Sequence, residues 1–335
     1  MTAATVEILS AGPLTTVQDL GRPGHLAEGL SRGGAADRRA LAEAAALLRL
    51  PVEGAGPAAI ETPGAALALR FGMPVRVALT GAPMRARIGG RTLVWDAAHD
   101  VAPGDVLDLR PGGVGVYSYV LPGGGVGGPA LLGSRAAHLG VGLGAALRAG
   151  DVLDMRPGGD DGPPLRLVAP EDRFAGGTLR LVPGPQTDLF PAPDRDRFAA
   201  TAFRRDPRGN RQGVRLVLPD GAAGFATAGQ LSLMSDFILP GDVQMTGDGV
   251  PYVLGPECQT MGGYPRIGTV IAADLPRALQ APPGAPLRFR FVTAAEARAA
   301  RPGPPTIAPL RRDPRDIPDL LGYRLIDGAV DAREG

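Results

Sequence analysis

Glycine and proline interrupt this chain at short intervals, and that spacing limits the folds open to it. Together they account for 85 of the 335 residues. Because they favour turns and break long helices, the short apolar runs between them predict many short β-strands. A disordered chain of this kind would be poor in apolar residues or highly charged. Here 44% of the residues are hydrophobic and the net charge is +1, so we expect a folded protein.

The strand pattern predicts two β-rich lobes. The clearest strand is Leu287–Val292, in which apolar residues alternate with arginine. A turn-strand unit also repeats, since Pro103–Gly113 recurs with few changes as Ala149–Gly159. Such units are typical of barrels rather than of a doubly wound parallel sheet.

Helices are few in this prediction. Residues Ala36–Leu50 have a helical apolar stripe, with Asp37 placed to cap the N-terminus. A shorter helix is predicted near Leu275–Leu279. A charged, proline-containing stretch at residues 160–173 predicts a domain boundary. The predicted division is a first β-barrel lobe at 1–160, a second at 174–293 and a C-terminal extension at 294–335.

Several function classes are excluded by residues that are missing. All 35 basic residues are arginine, so a phosphate loop with Gly-Lys-Ser/Thr, a Schiff-base lysine and a biotin-accepting lysine are absent from this chain. Cys258 is the only cysteine, and the three histidines are far apart, so we expect no metal site. The near-zero net charge predicts no nucleic-acid binding.

The N-terminal residues lack the basic and apolar regions of a signal peptide. The long uncharged run at residues 111–134 is rich in glycine and proline, which would leave backbone groups unpaired in lipid. We therefore expect a cytoplasmic protein without a membrane span.

The first candidate site is the polar segment Thr15–Gly24. It holds Gln18, Asp19 and Arg22, an amide, a carboxylate and a guanidinium within one turn-rich stretch. These groups could bind a polar ligand or orient a water molecule. An Asp19–Arg22 pair that only stabilises the loop explains the pattern equally well.

The second candidate site joins two segments, Gln244–Gly249 and Cys258–Pro265. Consecutive glycines allow backbone amides to approach a ligand closely, as an oxyanion site requires. A simple bend at a strand crossing is the alternative interpretation. The candidate residues are Gln244, Asp248, Gln259, Thr260, Gly262, Gly263 and Tyr264.

Other motifs carry less information. Arg211, which follows Asn210 before a strand, could bind a carboxylate or phosphate. Residues Gly29–Gly33 match the Gly-x-Ser-x-Gly nucleophile motif around Ser31, but the residues before them form a poor strand, so the serine-hydrolase interpretation is disfavoured. Cys258 is better interpreted as a small buried thiol than as a nucleophile.

The candidate segments together resemble a known family, the carboxyltransferase-like proteins. Its members include the C-type subunit of 5-oxoprolinase, allophanate hydrolase subunit 2 and the carboxyltransferase domain of urea amidolyase. The resemblance extends over most of the chain, from about Val6 to Val292. The matching motifs, in chain order, are Thr15–Arg22, Gly34–Asp37, Ile60–Thr62, Leu79–Ala82, Leu132–Arg135, Gly184–Gln186, Asn210–Arg211, Gly241–Gln244, Asp248–Pro251 and Gln259–Pro265.

The resemblance implies two cyclophilin-like β-barrel lobes. It also implies a component of an ATP-dependent 5-oxoprolinase, which opens 5-oxoproline to glutamate together with A-type and B-type partner subunits. ATP would be shared with those partners. Asp19 would orient or deprotonate water, Gln259 and the amides of Gly262 and Gly263 would stabilise the oxyanion, and Arg22 and Arg211 would bind a carboxylate or phosphate. Gln18, Gln244, Asp248, Thr260 and Tyr264 would also contact the substrate.

Two alternatives stay open at this point. The first is carboxyl transfer from carboxybiotin to urea or a related amide, with the biotin carried by another protein. The second is a non-enzymatic partner that regulates a protein like the B-type subunit, which the loss of some family polar residues favours, for example at Ala136 and Ala137.

Overall fold

Alternating apolar residues, most of them in the first half of the chain, form two β-sheets that enclose one core. The computed structural model describes residues 4–159, 161–227 and 233–311. The first sheet has six antiparallel strands. Its spatial order is β11 (Val152–Asp154), β1 (Thr5–Ala11), β4 (Leu67–Phe71), β9 (Val106–Pro111), β6 (Met84–Ile88) and β7 (Arg91–Leu93).

The second sheet has seven strands, and its first two contain Gln18 and Glu61. Its order is β2 (Thr16–Gln18), β3 (Ala59–Pro63), β10 (Tyr117–Pro122), β5 (Val75–Gly81), β8 (Ala97–Val101), β12 (Leu165–Leu167) and β22 (Ile307–Pro309). Buried side chains from both sheets, such as Ile8, Leu69, Leu79 and Val120, belong to one apolar cluster. This cluster is the core of the first lobe.

The second lobe is a closed seven-stranded barrel, and the parallel pairing of β13 (Gly177–Val182) with β21 (Pro286–Phe291) closes it. Four buried phenylalanines meet in its core, with ring centroids 4.7–6.0 Å apart: Phe198, Phe203, Phe225 and Phe289. The strand order is β13 (Gly177–Val182), β20 (Arg266–Val270), β17 (Asp242–Met245), β18 (Pro251–Leu254), β15 (Gly213–Val217), β14 (Phe203–Arg205) and β21 (Pro286–Phe291). A separate two-stranded sheet pairs β16 (Asp236–Phe237) with β19 (Met261–Gly262).

The described residues form four α-helices: α1 (Arg38–Leu47), α2 (Ala192–Ala200), α3 (Leu275–Gln280) and α4 (Ala294–Ala299). Helix α1 lies against β5 and β10, where the Thr80 hydroxyl donates to the Ala40 carbonyl at 2.8 Å. The apolar cluster that contains α1 continues into the barrel, so the two lobes share buried contacts.

The predicted fold class is confirmed: the chain is mainly β, with few helices and a closed barrel. The predicted helices correspond to α1 and α3, with Asp37 as the cap of α1. The repeated units become β9 and β11, two strands of the six-stranded sheet. The predicted domain boundaries stay a prediction. Within the segment predicted as an extension, β22 pairs with β12 of the first lobe, while residue 160 and residues 312–335 lie outside the described residues.

Candidate functional site

The loop between β2 and α1 begins at a buried carboxylate. Asp19 is fully buried and accepts three hydrogen bonds, from the Gly21 amide at 2.8 Å and from the Ser134 hydroxyl and the Arg135 amide at 2.6 Å each. The neighbouring Gln18 donates to Thr16 and to the Ala137 carbonyl, each at 3.0 Å. Both side chains therefore connect this loop to residues 134–137. The Asp19 carboxylate is shielded from solvent and holds the loop in place.

Arg22 has a charged head group that the described protein satisfies only in part. Its side chain is 1% exposed and donates to the carbonyls of Leu131 and Ala136. Its Nη1 atom has no hydrogen-bond partner among the described residues. Burial lowers the pKa of Arg22, and Asp19 and Glu257 oppose that shift. Since leaving a buried charged donor unpaired is costly, this nitrogen is a position where an anionic ligand would be stabilised.

Arg211 joins the two lobes. Its guanidinium forms ion pairs with Glu61 of β3 and with Glu257, the latter at 2.6 Å, and donates to the Gly34 carbonyl. The second Glu61 oxygen accepts from the Ala36 amide at 2.9 Å and from the Tyr119 hydroxyl at 2.6 Å. Because each of its nitrogens has a protein partner, Arg211 is placed as a connector. Its predicted role in substrate binding stays a prediction.

A second buried network lies at the start of α1. Asp37 accepts from the Ala40 amide as the helix cap and from Arg173 at 2.6 Å, and Arg173 also pairs with Glu43 at 2.7 Å. Gln280 of α3 donates to Asp37 at 3.0 Å and accepts from the amides that open β10. These bonds hold α1, β10 and α3 together, and thereby fix the two lobes around the loop.

A serine, a histidine and a glutamate meet beside these networks. Ser31 Oγ lies 2.8 Å from Nε2 of His138, and Nδ1 of the same ring lies 4.0 Å from Oε2 of Glu257. All three side chains are buried. Desolvation lowers the pKa of His138, with Arg211 and Arg22 lowering it further and Glu257 raising it. The imidazole is therefore favoured in its neutral form.

A cleft of about 1020 Å³ opens between the lobes along this loop. Its described lining contains no aspartate or glutamate but includes six arginines: Arg22, Arg32, Arg38, Arg39, Arg298 and Arg301. Arg39 is neutralised by Glu43 and Glu171 at 3.0 Å. Desolvation and the positive charge of Arg32 lower the pKa of Arg38 to about 10. Arginine stays charged under physiological conditions, so the cleft is an electropositive environment suited to an anion.

The second candidate segment lies on the barrel and lines no part of this cleft. Gln244 is buried in β17, and its Nε2 atom has no partner among the described residues. A Cβ on Gly262 would lie 2.9 Å from that atom, so a larger residue at 262 would displace the end of the Gln244 side chain. Gly263 follows β19, Gln259 and Tyr264 are exposed, and the Thr260 carbonyl accepts from the Ile238 amide at 3.1 Å.

Asp248 is separate from the other predicted residues. It lies exposed in the turn before β18, accepts a hydrogen bond from Thr246 and pairs with Arg215 at 3.6 Å. The Thr246 hydroxyl lowers the pKa of Asp248. Its contacts therefore account for a stable turn.

The structure thus places Arg22 in the lining of the cleft, whereas neither Arg211 nor the Gln259–Tyr264 segment lines it. Sequence reasoning missed His138 and Glu257, and it discounted Ser31. The only signal at Ser31 was the Gly29–Gly33 motif, and Ser31 lies in an irregular loop before α1 rather than in a strand-to-helix elbow. His138 and Glu257 are far apart in sequence, so only the fold could show that they meet.

Three further features of the described residues are the lone cysteine, the placement of potential metal ligands and the lengths of the helices. Cys258 is buried, and desolvation raises its pKa to about 12, which agrees with a structural thiol. Among the described residues, no cluster of three or more His, Cys, Asp or Glu side chains is arranged to hold a metal ion. No helix within the described ranges is both long and apolar enough to span a bilayer.

Comparisons with known proteins agree with the resemblance seen in the sequence. A family model described as the carboxyltransferase domain, subdomains A and B, matches residues 28–291. The 5-oxoprolinase C-type subunit of Escherichia coli is 33% identical over 300 residues, 88% of this chain and 94% of the relative. That of Haemophilus influenzae is 27% identical over 303 residues, with the same coverage of both chains.

Solved structures show the same fold. A protein designated TTHA0988 superimposes with a TM-score of 0.73 at 28% identity, over 86% of this chain, which spans only 56% of that one. The urea amidolyase of K. lactis gives a TM-score of 0.76 at 23% identity, over 89% of this chain and 19% of the larger enzyme. On the extent of the family match and of the identity to its relatives, this chain belongs to the carboxyltransferase-domain family of subdomains A and B.

Proposed function

We propose that this chain is the C-type subunit of an ATP-dependent 5-oxoprolinase, which hydrolyses 5-oxoproline to glutamate. The relatives that bear this name match nearly its whole length. The observation that carries the proposal is the interlobe cleft, where the buried Arg22 has an unpartnered Nη1 atom among the described residues and the described lining has no carboxylate. A small substrate that bears a carboxylate fits that electrostatic environment.

The cleft would bind the substrate carboxylate through arginine. Arg22 is nearly buried, so an ion pair there would be screened little by solvent. Arg38 lines the cleft and forms no ion pair with a carboxylate among the described residues. A guanidinium can bind a carboxylate in a bidentate manner. Arg22 would therefore supply most of the binding free energy, with Arg38 increasing the local positive charge.

Opening a lactam requires an activated carbonyl and an attacking water molecule. The roles proposed for Gln259 and for the amides of Gly262 and Gly263 require the Met261–Tyr264 segment to approach the substrate, because it lies outside the cleft. The three hydrogen bonds to Asp19 favour a supporting role, in which it holds the loop that carries Arg22, over direct proton transfer. The loop that carries Arg22 and the Met261–Tyr264 segment would be supported by the remaining predicted residues, Gln18, Gln244, Thr260 and Tyr264.

ATP would be shared with the partner subunits and would supply phosphorylation of the lactam oxygen. This chain has no lysine for a phosphate loop, so the arginines at the cleft rim, Arg298 and Arg301, would bind phosphate oxygens. The A-type and B-type partners would provide the remaining ATP contacts. As part of such a complex, the protein would act in the cytoplasm.

Reconstitution tests this proposal. We expect 5-oxoproline-dependent ATP hydrolysis when this chain is mixed with its A-type and B-type counterparts, and no such hydrolysis when it is left out. A stable complex of all three proteins without turnover would contradict the proposal.

Carboxyl transfer is the second candidate, and the description of the matching family favours it. The same arginines could hold a carboxylated donor, whose biotin must be attached to another protein because this chain has no lysine. Transfer of labelled carboxylate from carboxybiotin to urea by the complex would support this candidate. A complex active in neither assay would instead favour a regulatory pairing with the B-type partner.

A further inference from the structure

A hydroxyl, an imidazole and a carboxylate lie one after another at one place in the structure, and they belong to Ser31, His138 and Glu257. The Ser31 Oγ atom lies 2.8 Å from Nε2 of His138, which is hydrogen-bond distance. The opposite ring nitrogen, Nδ1, has no hydrogen-bond partner among the described residues, and the nearest carboxylate oxygen is Oε2 of Glu257 at 4.0 Å. Triad contacts are often long in ligand-free structures and shorten when substrate binds.

This arrangement is connected to the cleft. Ser31 and Gly33 both line it, and His138 lies behind Ser31 with 3% of its surface exposed. A Cβ at Gly33 would lie 3.4 Å from Cδ2 of His138 and 3.6 Å from Nη1 of Arg22. The free guanidinium nitrogen of Arg22 and the imidazole therefore flank the same short stretch of backbone as the serine.

The surroundings of His138 favour the neutral imidazole, which is the form that can accept a proton from a serine hydroxyl. Burial lowers the pKa of His138, as do Arg211 and Arg22, while Glu257 raises it. A neutral imidazole that accepts from Ser31 at Nε2 must carry its proton at Nδ1, which is the atom nearest Glu257. This tautomer is the one that a serine nucleophile requires.

We infer that Ser31, His138 and Glu257 form an acyl-transfer centre that hydrolyses small carboxylic esters bearing an anionic group. The activity needs neither ATP nor a partner subunit, so it is independent of the proposed oxoprolinase role. Ser31 is the nucleophile, His138 is the general base, and Glu257 is a positioning residue that stabilises the imidazolium. Arg22 stabilises the oxyanion, and the cleft arginines attract the anionic end of the ester.

The reaction balances without a further reagent. Ser31 Oγ attacks the ester carbonyl carbon and passes its proton to Nε2 of His138. The bond to the leaving alcohol breaks as His138 returns that proton to it, which leaves an acyl-serine. Water then attacks the acyl carbon, gives its proton to His138, and releases the carboxylic acid while Ser31 regains its hydrogen.

The test uses the full chain alone, with 4-nitrophenyl hemisuccinate as the anionic ester and 4-nitrophenyl acetate as the neutral one. We expect faster hydrolysis of the anionic ester, measured as kcat/KM. Ser31→Ala and His138→Ala should each lower that value at least about 100-fold, while Ser10→Ala, at an exposed serine of β1, leaves it unchanged. Wild-type rates in both alanine variants, with unfolding midpoints preserved, would overturn the inference.

Two measurements do not depend on the folding of those variants. A fluorophosphonate should label the wild-type chain, and peptide mass spectrometry should locate the label at Ser31. A label confined to other serines, or none, would overturn the inference. Glu257→Gln should shift the acidic limb of the pH–rate profile to lower pH, because it removes the charge that raises the pKa of His138. An unshifted limb would show that Glu257 has no positioning role.

Discussion

Arg22 and Asp19 are both charged and both almost fully buried, yet their surroundings differ. The Asp19 carboxylate has three protein donors, whereas one Arg22 nitrogen has no partner among the described residues. Because an unpaired buried donor is costly, Asp19 is explained by the fold alone, whereas Arg22 is the position at which we propose that a ligand binds. Two charged residues of a single motif thus differ in how far the described protein satisfies their hydrogen bonds.

Asp96 is a half-buried carboxylate whose ionisation should lower the stability of the fold. Desolvation and the nearby Glu43 raise its pKa to about 7, so its ionised form destabilises the folded state increasingly from about pH 4 to pH 7 and fully above that. Asp96→Asn should therefore stabilise the protein by about 2 kcal/mol at pH 8 and by less at pH 5. The positive φ of 55° suits asparagine.

Urea unfolding of both proteins at the two pH values measures this difference. Asp105→Asn, in the turn between β8 and β9, is the control and should show no such trend. An equal effect of Asp96→Asn at pH 5 and pH 8 would contradict the raised pKa.

Sequence reasoning was most successful with residue types and least with their partners. It selected Gln18, Asp19, Arg22 and Arg211 as polar clusters, and the structure places all of them near the lobe interface. It could not show that Arg211 pairs with Glu61, 150 positions away. Contacts of that separation depend on the strand order, which local patterns do not encode.

The elements were easier to predict, and α1 shows the reason. Its apolar stripe and the capping Asp37 are local signals, and both correspond to the helix that forms. The sequence did not reveal that the same Asp37 also binds Arg173 and Gln280. Helix α4 is the useful comparison, because its exposed Thr293 cap makes only the local capping-box contacts among the described residues.

The two caps should differ in their contribution to stability. Thr293→Ala removes one exposed cap and should cost about 1 kcal/mol. Asp37→Ala also removes one of the two carboxylates that Arg173 binds and one acceptor of Gln280, inside a buried network, and should cost more, about 3–5 kcal/mol. Chemical denaturation of the two variants measures both values. Similar losses for both would show that the buried network around Asp37 adds nothing.

At the scale of the whole molecule, Arg211 connects the lobes through Glu61 on the first and Glu257 next to the second. Arg211→Met would leave both carboxylates buried without their cation and should cost about 3–5 kcal/mol. Adding Glu61→Gln to that variant should recover part of the loss, since one uncompensated charge is removed. Arg204→Met, at an exposed position of β14, is the control.

Denaturant unfolding of the single, double and control variants tests this coupling. A loss in Arg211→Met no larger than in the control would show that the interlobe ion pairs do not stabilise the molecule. In that case these ion pairs would not hold the cleft at a defined width.

The interlobe cleft is proposed to bind the carboxylate of the substrate through Arg22. The most direct measurement is the KM for 5-oxoproline of the reconstituted complex containing Arg22→Gln, with Arg85→Gln, an exposed arginine of β6 outside the cleft, as the control. Loss of a charged hydrogen bond should raise KM by about 10-fold or more, and the control should leave it unchanged. An unchanged KM in Arg22→Gln, in a complex that assembles normally, would contradict this role of the cleft.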